Sequence, residues 1–110
     1  MTALSELSLV ELRAGLDKRE FTSLDVLESC LSQASKVQHL NAFIQTLPEH
    51  ATEAAKRADE RLQKKEKSAL LGIPIAIKDN ILATGSRTTC GSKILENFES
   101  PYSATVTEKL

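Results

Sequence analysis

Leu71-Gly72-Ile73-Pro74-Ile75-Ala76-Ile77-Lys78-Asp79-Asn80-Ile81 is an almost unbroken apolar run that stops on three polar residues. Pro74 has no N–H to give a ladder, which places it at a strand entrance. Ile75, Ala76 and Ile77 then predict a short strand that is apolar on both faces, as in a sheet covered by helices on both sides. Lys78 emerges where that strand meets its loop. Ligands of open α/β sheets gather beyond the carboxyl ends of strands, and a lysine drawn toward apolar neighbours there gives up its proton more readily than one in water. Lys78 is therefore a candidate general base. The same position suits a solvated lysine that keeps a sheet end soluble, and periodicity leaves both readings open.

A chain of 110 residues suits at most one small domain, and 41% hydrophobic residues are ordinary for a globular chain. Three Phe, one Tyr and no Trp require an aliphatic core. Fourteen basic against fifteen acidic residues give a net charge of −1, which supplies no general attraction to nucleic acid or to an acidic membrane. Cys30 and Cys90 lie far apart, in a helix face and a glycine loop, and form neither a metal pattern nor a disulfide framework, so a reduced, cytoplasmic setting fits. No basic region followed by an apolar stretch opens the chain, and the run around Leu70 to Ile77 is too short to span a bilayer.

Ser8-Leu9-Val10-Glu11 has capping-box spacing and predicts a helix from about Leu9 to Leu16. Asp17 to Glu20 reads as a charged, solvated bend, and Thr22-Ser23-Leu24-Asp25 restarts a helix. Leu27, Cys30, Leu31, Ala34 and Val37 follow at steps of three and four, one stripe facing a core, with Cys30 a structural thiol within it. His39 and His50 lie at the ends of the next connection without partners at helical spacing and take no role. Ala42–Leu47, closed by Pro48, predicts a strand. Ala51, Ala54, Ala55, Ala58 and Leu62 form a small-residue stripe on a helix that fits close against a sheet. Strand, helix and strand make a βαβ unit with Ala42–Leu47 and Ile75–Ile77 parallel. Lys64-Lys65-Glu66-Lys67 has no interleaved aromatic and reads as a solvated loop.

Ala83 to Ser92 is rich in hydroxyls and glycine and reads either as a pocket wall near Lys78 or as a surface turn. It lacks the spacing and the Gly-Lys-Ser/Thr ending of a phosphate loop. Ser103 is expected to cap a helix through Ala104, Val106 and Lys109. Leu110 arrives barely two turns into that helix, so the chain reads as cut.

Gly72 to Ile81, then Thr88-Thr89-Cys90-Gly91-Ser92-Lys93-Ile94-Leu95-Glu96-Asn97-Phe98, then Pro101-Tyr102-Ser103-Ala104-Thr105-Val106, resemble the amidase signature family. Within it they resemble the branch of A subunits of bacterial glutamyl-tRNA(Gln)/aspartyl-tRNA(Asn) amidotransferases. Gly91 stands where that branch more often has alanine, and Ser103 where it often has aspartate. The resemblance implies an α/β fold, with residues 1–110 the N-terminal portion of one amidase domain: helices followed by a βαβ unit of a mixed, helix-covered sheet. It implies that Lys78 is the lysine of a Ser–cis-Ser–Lys triad whose serines belong to a later Gly- and Ser-rich segment, which these residues do not contain.

The implied reaction is glutamine hydrolysis that supplies ammonia for converting Glu-tRNA(Gln) or Asp-tRNA(Asn) to the amide form. A lysine in water has a pKa of about 10.4, and a base for this task needs about 7–8. Ile75 and Ile77 favour that change, and Asp79 opposes it if its carboxylate faces the amine, so Asp79 is expected to turn toward backbone N–H groups. The implied partners are a B subunit that binds aminoacyl-tRNA and uses ATP and Mg, and a small C subunit completing a heterotrimeric ligase; this chain itself holds no cofactor or metal. On this reading the chain alone is inactive. A fragment of another amidase signature hydrolase and a non-catalytic interaction module are the alternatives.

Overall fold

The computed structural model describes residues 2–110, which form two compact units. The first comprises the chain up to Phe43 together with Pro48–Pro74, and the second Ile44–Leu47 with Ile75–Leu110.

The first unit is helical: α1 (Leu9–Lys18), α2 (Ser23–Lys36) and α3 (Pro48–Gln63), with 3-10 turns at Leu4–Glu6 and Gln38–Leu40. The expected capping box at Ser8 forms, and a second opens α2 at Thr22. The Ser8 hydroxyl accepts the Glu11 N–H at 3.3 Å and the Glu11 carboxylate accepts the Ser8 N–H at 2.8 Å. Thr22 and Asp25 repeat the exchange at 3.1 and 2.7 Å. The Ser8 hydroxyl and N–H hold the Glu11 carboxyl below its ordinary range, and the Thr22 N–H and hydroxyl do the same for Asp25. Helix α1 runs past the expected Leu16 because the charged bend is itself its cap. Arg19 takes a left-handed φ of 59°, which lets its N–H reach the Leu16 carbonyl at 3.2 Å and the Glu20 N–H reach Gly15 at 2.9 Å. Lys65 ends α3 in the same way, with φ 64° and bonds from Lys65 to Leu62 and from Glu66 to Arg61. This is the Schellman arrangement, with a basic residue where glycine is usual.

Leu12, Leu16 and Val26 form the core, and Leu4, Leu7, Phe21, Cys30, Leu62 and Ile73 pack around them. Val26 is 0% exposed and Leu16 1%. The apolar stripe expected on α2 is thus displaced toward the helix start: Ser23, Val26 and Leu27 are buried, whereas Cys30, Leu31, Ala34 and Val37 are half-buried. The α1 leucines meet the first turns of α2 and leave its later turns less covered. On α3, Ala55 and Ala58 are buried and Ala54 is exposed, so the inner line is narrower than the sequence suggests. Desolvation pushes the Cys30 thiol up, consistent with a structural role.

Polar bonds join these helices. Asp59 of α3 accepts the Ser23 N–H at 2.7 Å and the Leu24 N–H at 3.2 Å, two of the free donors that open α2. The buried Ser23 hydroxyl donates to the Gly72 carbonyl at 2.8 Å. Gly72 has φ 81°, and a Cβ there would lie 3.2 Å from the Ser23 Cβ and 3.3 Å from Leu62 Cδ1, so glycine meets both the turn and the close approach. The Arg13 guanidinium donates to the Ser68 and Leu71 carbonyls at 3.1 and 2.6 Å and lies 3.0 Å from Asp17.

The expected α/β organisation is corrected here. Neither Ala42–Leu47 nor Ile75–Ile77 is a strand, no βαβ unit forms, and the β structure among the described residues is one isolated antiparallel bridge, Arg87 to Glu99. A strand exists through its neighbours, and these segments have none. Ala42, Phe43, Ile44 and Thr46 are exposed, as are Ile75, Ala76 and Ile77. The physical reason is that β-branched composition describes a fit to a pleated, half-buried surface and supplies no partner for the ladder by itself. Nor does Ser103 cap the last helix. Helix α4 (Thr105–Lys109) starts after Ala104 without a side-chain cap, and the Ser103 hydroxyl accepts the Thr84 N–H instead, at 3.0 Å.

Leu16→Ala is expected to destabilise the chain by about 2–5 kcal/mol, the usual cost of emptying a packed leucine site. Val10→Ala, at a side chain 77% exposed, should change stability by no more than about 0.5 kcal/mol. Urea denaturation followed by far-UV circular dichroism measures both, and equal effects would show that the core lies elsewhere.

Candidate active site

The second unit has no buried apolar side chain; its buried residues are Thr88, Thr89 and Ser100. Hydrogen bonds therefore organise it, and five of them end on Lys78–Ile81, the segment that carries the lysine. The Lys78 carbonyl accepts the Ile81 N–H at 2.9 Å, closing a turn directly after the lysine. Asp79 then binds the 89–91 segment with both its main chain and its side chain. Its carbonyl accepts the Cys90 N–H at 3.0 Å. Its Oδ1 accepts the Thr89 N–H at 3.0 Å, and its Oδ2 accepts the Gly91 N–H at 3.3 Å and the Thr89 hydroxyl.

The local sequence explains why this segment can be held in that way. Cys90 and Gly91 have φ of 52° and 67°, and the Ser92 N–H returns to the Thr89 carbonyl at 2.9 Å. Two central residues of positive φ inside a four-residue turn make the primed type of turn, for which glycine in second place is well suited. The Gly91 N–H also lies 3.2 Å from the Thr89 hydroxyl. The N–H groups of Thr89, Cys90, Gly91 and Ser92 are thus all occupied within the chain, so this turn is a clamp and offers no free donors to a developing oxyanion.

The rest of the hydroxyl-rich stretch is stitched in a similar fashion. The Thr88 N–H bonds the Phe98 carbonyl at 2.9 Å, and Arg87 donates to the Glu96 carbonyl at 3.1 Å. Gln45 and Arg87 exchange two bonds, Gln45 Nε2 to the Arg87 carbonyl at 2.8 Å and Arg87 Nε to Gln45 Oε1 at 3.3 Å. The Leu82 carbonyl accepts the Ala104 N–H and the Thr107 hydroxyl, each at 2.9 Å.

Lys78 itself is exposed, beside the exposed Ile75 and Ile77. Asp79 is turned toward N–H groups, the orientation its neighbour's proposed chemistry requires. The bonds from Thr89, first its hydroxyl and then its N–H, hold the Asp79 carboxyl below its ordinary range, with Gly91 and the Arg87 charge adding to them. Thr89 is the residue that the sequence reading did not single out; its signal was a hydroxyl placed directly before a Cys-Gly turn. No cluster of His, Cys, Asp or Glu among the described residues could hold a metal ion, and no helix among them is long and apolar enough to cross a membrane.

The depressed Asp79 carboxyl has a definite consequence for stability. Its folded value lies below its unfolded one, so its contribution is fully present above the ordinary aspartate range, about 3.9. That contribution is lost as pH falls through the depressed value. Tyr102, the one tyrosine of the chain, lies in this unit and reports on it. Followed by tyrosine fluorescence, the wild-type thermal midpoint should drop below about pH 4 more steeply than that of Asp79→Asn. Parallel acid limbs would mean that the carboxylate does not hold the turn.

Comparison with known proteins gives the family of the chain. A family model described as Amidase matches residues 25–110. The A subunit of glutamyl-tRNA(Gln) amidotransferase from Zymomonas mobilis is 42% identical over 110 residues, all of this chain and 22% of the relative. The protein of the same name from Methylococcus capsulatus is 48% identical over 103 residues, 93% of this chain and 21% of the relative. That from Thermoanaerobacter pseudethanolicus is 46% identical over 108 residues, 97% and 22% respectively. The chain thus spans about a fifth of the length of these curated relatives. Matched along most of its length, through both the Lys78 segment and the turn that Asp79 holds, the chain belongs to the amidase family.

Proposed function

We propose that residues 1–110 are the N-terminal portion of the A subunit of a tRNA-dependent amidotransferase, and that Lys78 is the general base of its glutaminase centre. The observation that carries this reading is the 42–48% identity, across 93–100% of the chain, to proteins named as the A subunit of glutamyl-tRNA(Gln) amidotransferase. The geometry supports it in one further respect. The carboxylate next to Lys78 is engaged by Thr89 and Gly91, so it does not compete for the amine's proton.

In the proposed reaction the neutral Lys78 amine accepts a proton from a bridging serine, which takes one from the nucleophilic serine as that oxygen attacks the glutamine carboxamide carbon. The C–N bond breaks, ammonia leaves with the returned proton, and water hydrolyses the acyl-enzyme to glutamate. Both serines lie outside these residues, so the 110-residue chain alone is expected to hydrolyse no amide. Ammonia then serves amide formation on Glu-tRNA(Gln) or Asp-tRNA(Asn). The proposed B subunit binds that tRNA and uses ATP and Mg, and the proposed C subunit completes a cytoplasmic heterotrimer. The net charge of −1 is compatible with tRNA being held elsewhere in the complex.

In the full-length protein within its complex, Lys78→Ala is expected to lower glutamine hydrolysis by at least about 100-fold, the scale of a positioned base. Ammonia supplied directly should still support tRNA amidation. Equal losses with glutamine and with ammonia would assign Lys78 a structural role, and turnover of other amides with none of glutamine would place the chain in a different amidase.

A further inference from the structure

We propose that Asp79 is the positioning residue for Lys78, acting through a clasp on the Thr89–Gly91 turn that fixes where the lysine leaves the backbone and keeps its neighbour's charge away from the amine. The inference rests on the reading of Lys78 as the base. It begins from an imbalance in the second unit: Ile75, Ala76 and Ile77 approach the lysine exposed and outside any strand, whereas the residues just after it are tied down. Three bonds from the Thr89 N–H, the Cys90 N–H and the Gly91 N–H, together with the Thr89 hydroxyl, end on the one residue adjacent to Lys78. The turn that closes from Ile81 to the Lys78 carbonyl adds a bond on the lysine itself.

The clasp acts on charge as well as on geometry. A carboxylate beside a lysine is the group best placed to pair with it, and such a pair keeps the amine protonated, the opposite of what a base requires. Here both carboxylate oxygens are occupied by donors from residues 89–91, with Arg87 the charged group that acts on Asp79. Removing the Thr89 hydroxyl deprives Oδ2 of one of its two donors and weakens the hold that keeps the carboxylate from the amine. Removing the charge, as in Asp79→Asn, replaces one acceptor oxygen by an amide that cannot accept from the same donors. The two variants therefore separate the two parts of the role.

The test uses the full-length protein in its complex, with glutamine hydrolysis measured across pH for Lys78→Ala, Asp79→Asn, Thr89→Val and Thr89→Ser. Asp79→Asn is expected to lower kcat by about 10- to 100-fold, the cost of a base displaced from its working position, with KM for glutamine within about twofold of wild type. Thr89→Val is expected to move the acid limb of the kcat profile upward by about one pH unit as the loosened carboxylate holds the lysine's proton. Thr89→Ser, which keeps the hydroxyl, should return the wild-type profile. A Lys78→Ala enzyme of normal activity would defeat the base assignment itself. With Lys78→Ala inactive, wild-type kcat and pH limbs in both Asp79→Asn and Thr89→Val would overturn the positioning role. So would a loss that follows the thermal midpoint, leaves the pH profile unmoved and is not rescued by serine.

Discussion

The N–H groups that open a helix have no partner inside it, and in this chain an aspartate from elsewhere supplies one. Asp59 does so for Ser23 and Leu24 at the start of α2, and the first unit depends on that contact. It joins α3 to α2 at the turn that carries Val26, and it leaves the Ser23 hydroxyl free to hold the Gly72 carbonyl. A carboxylate facing the dipole of a helix start gains from charge as well as from hydrogen bonding. An apolar cluster of three buried side chains is small for a unit of this length, and polar bonds of this kind give it one arrangement in place of several.

The second unit repeats the device without a core. Asp79 is to the Thr89–Gly91 turn what Asp59 is to α2, a carboxylate spent on backbone donors. Here nothing apolar is buried beneath it: Thr88, Thr89 and Ser100 fill the interior, while Ile75 is 45% exposed and Ile94 94%. Hydrogen bonds define its shape, but each contributes only about 0.5–1.5 kcal/mol net of water. A unit built in this way is specified more than it is stabilised, which suits the proposed task of holding one lysine in one place.

The helices were legible because their instructions are local. Ser8 with Glu11 and Thr22 with Asp25 satisfy N–H groups three residues away, so the sequence alone contains both partners. The orientation of Asp79 was legible for a chemical reason, since a carboxylate free to meet Lys78 would oppose its proposed use. The strands were not, because Ala42–Leu47 and Ile75–Ile77 carry the composition of strands without a ladder partner, and a ladder is a property of two segments. Ser103 misled for a related reason. A hydroxyl before a helix caps it only if no better donor arrives, and the Thr84 N–H, distant in sequence, arrived first. Val26 was overlooked because the stripe was traced from Leu27 toward the helix end, whereas Leu12 and Leu16 select the helix start.

The exposure of Lys78 fits these observations together. An amine in water keeps its proton at neutral pH, and a nearby carboxylate strengthens that preference; a base in an amidase must escape both influences. The clasp on Asp79 removes the second, since both carboxylate oxygens are taken by Thr89 and Gly91. The first requires desolvation, and the side chains placed to supply it, Ile75 and Ile77, stand on the same exposed segment as the lysine. Covering that segment would therefore bury the isoleucines and dehydrate the amine in a single step, whereas the direction in which the lysine departs is already held by the turn beside it. Orientation and desolvation of the proposed base are thus separate physical problems, and the clasp proposed for Asp79 addresses the first.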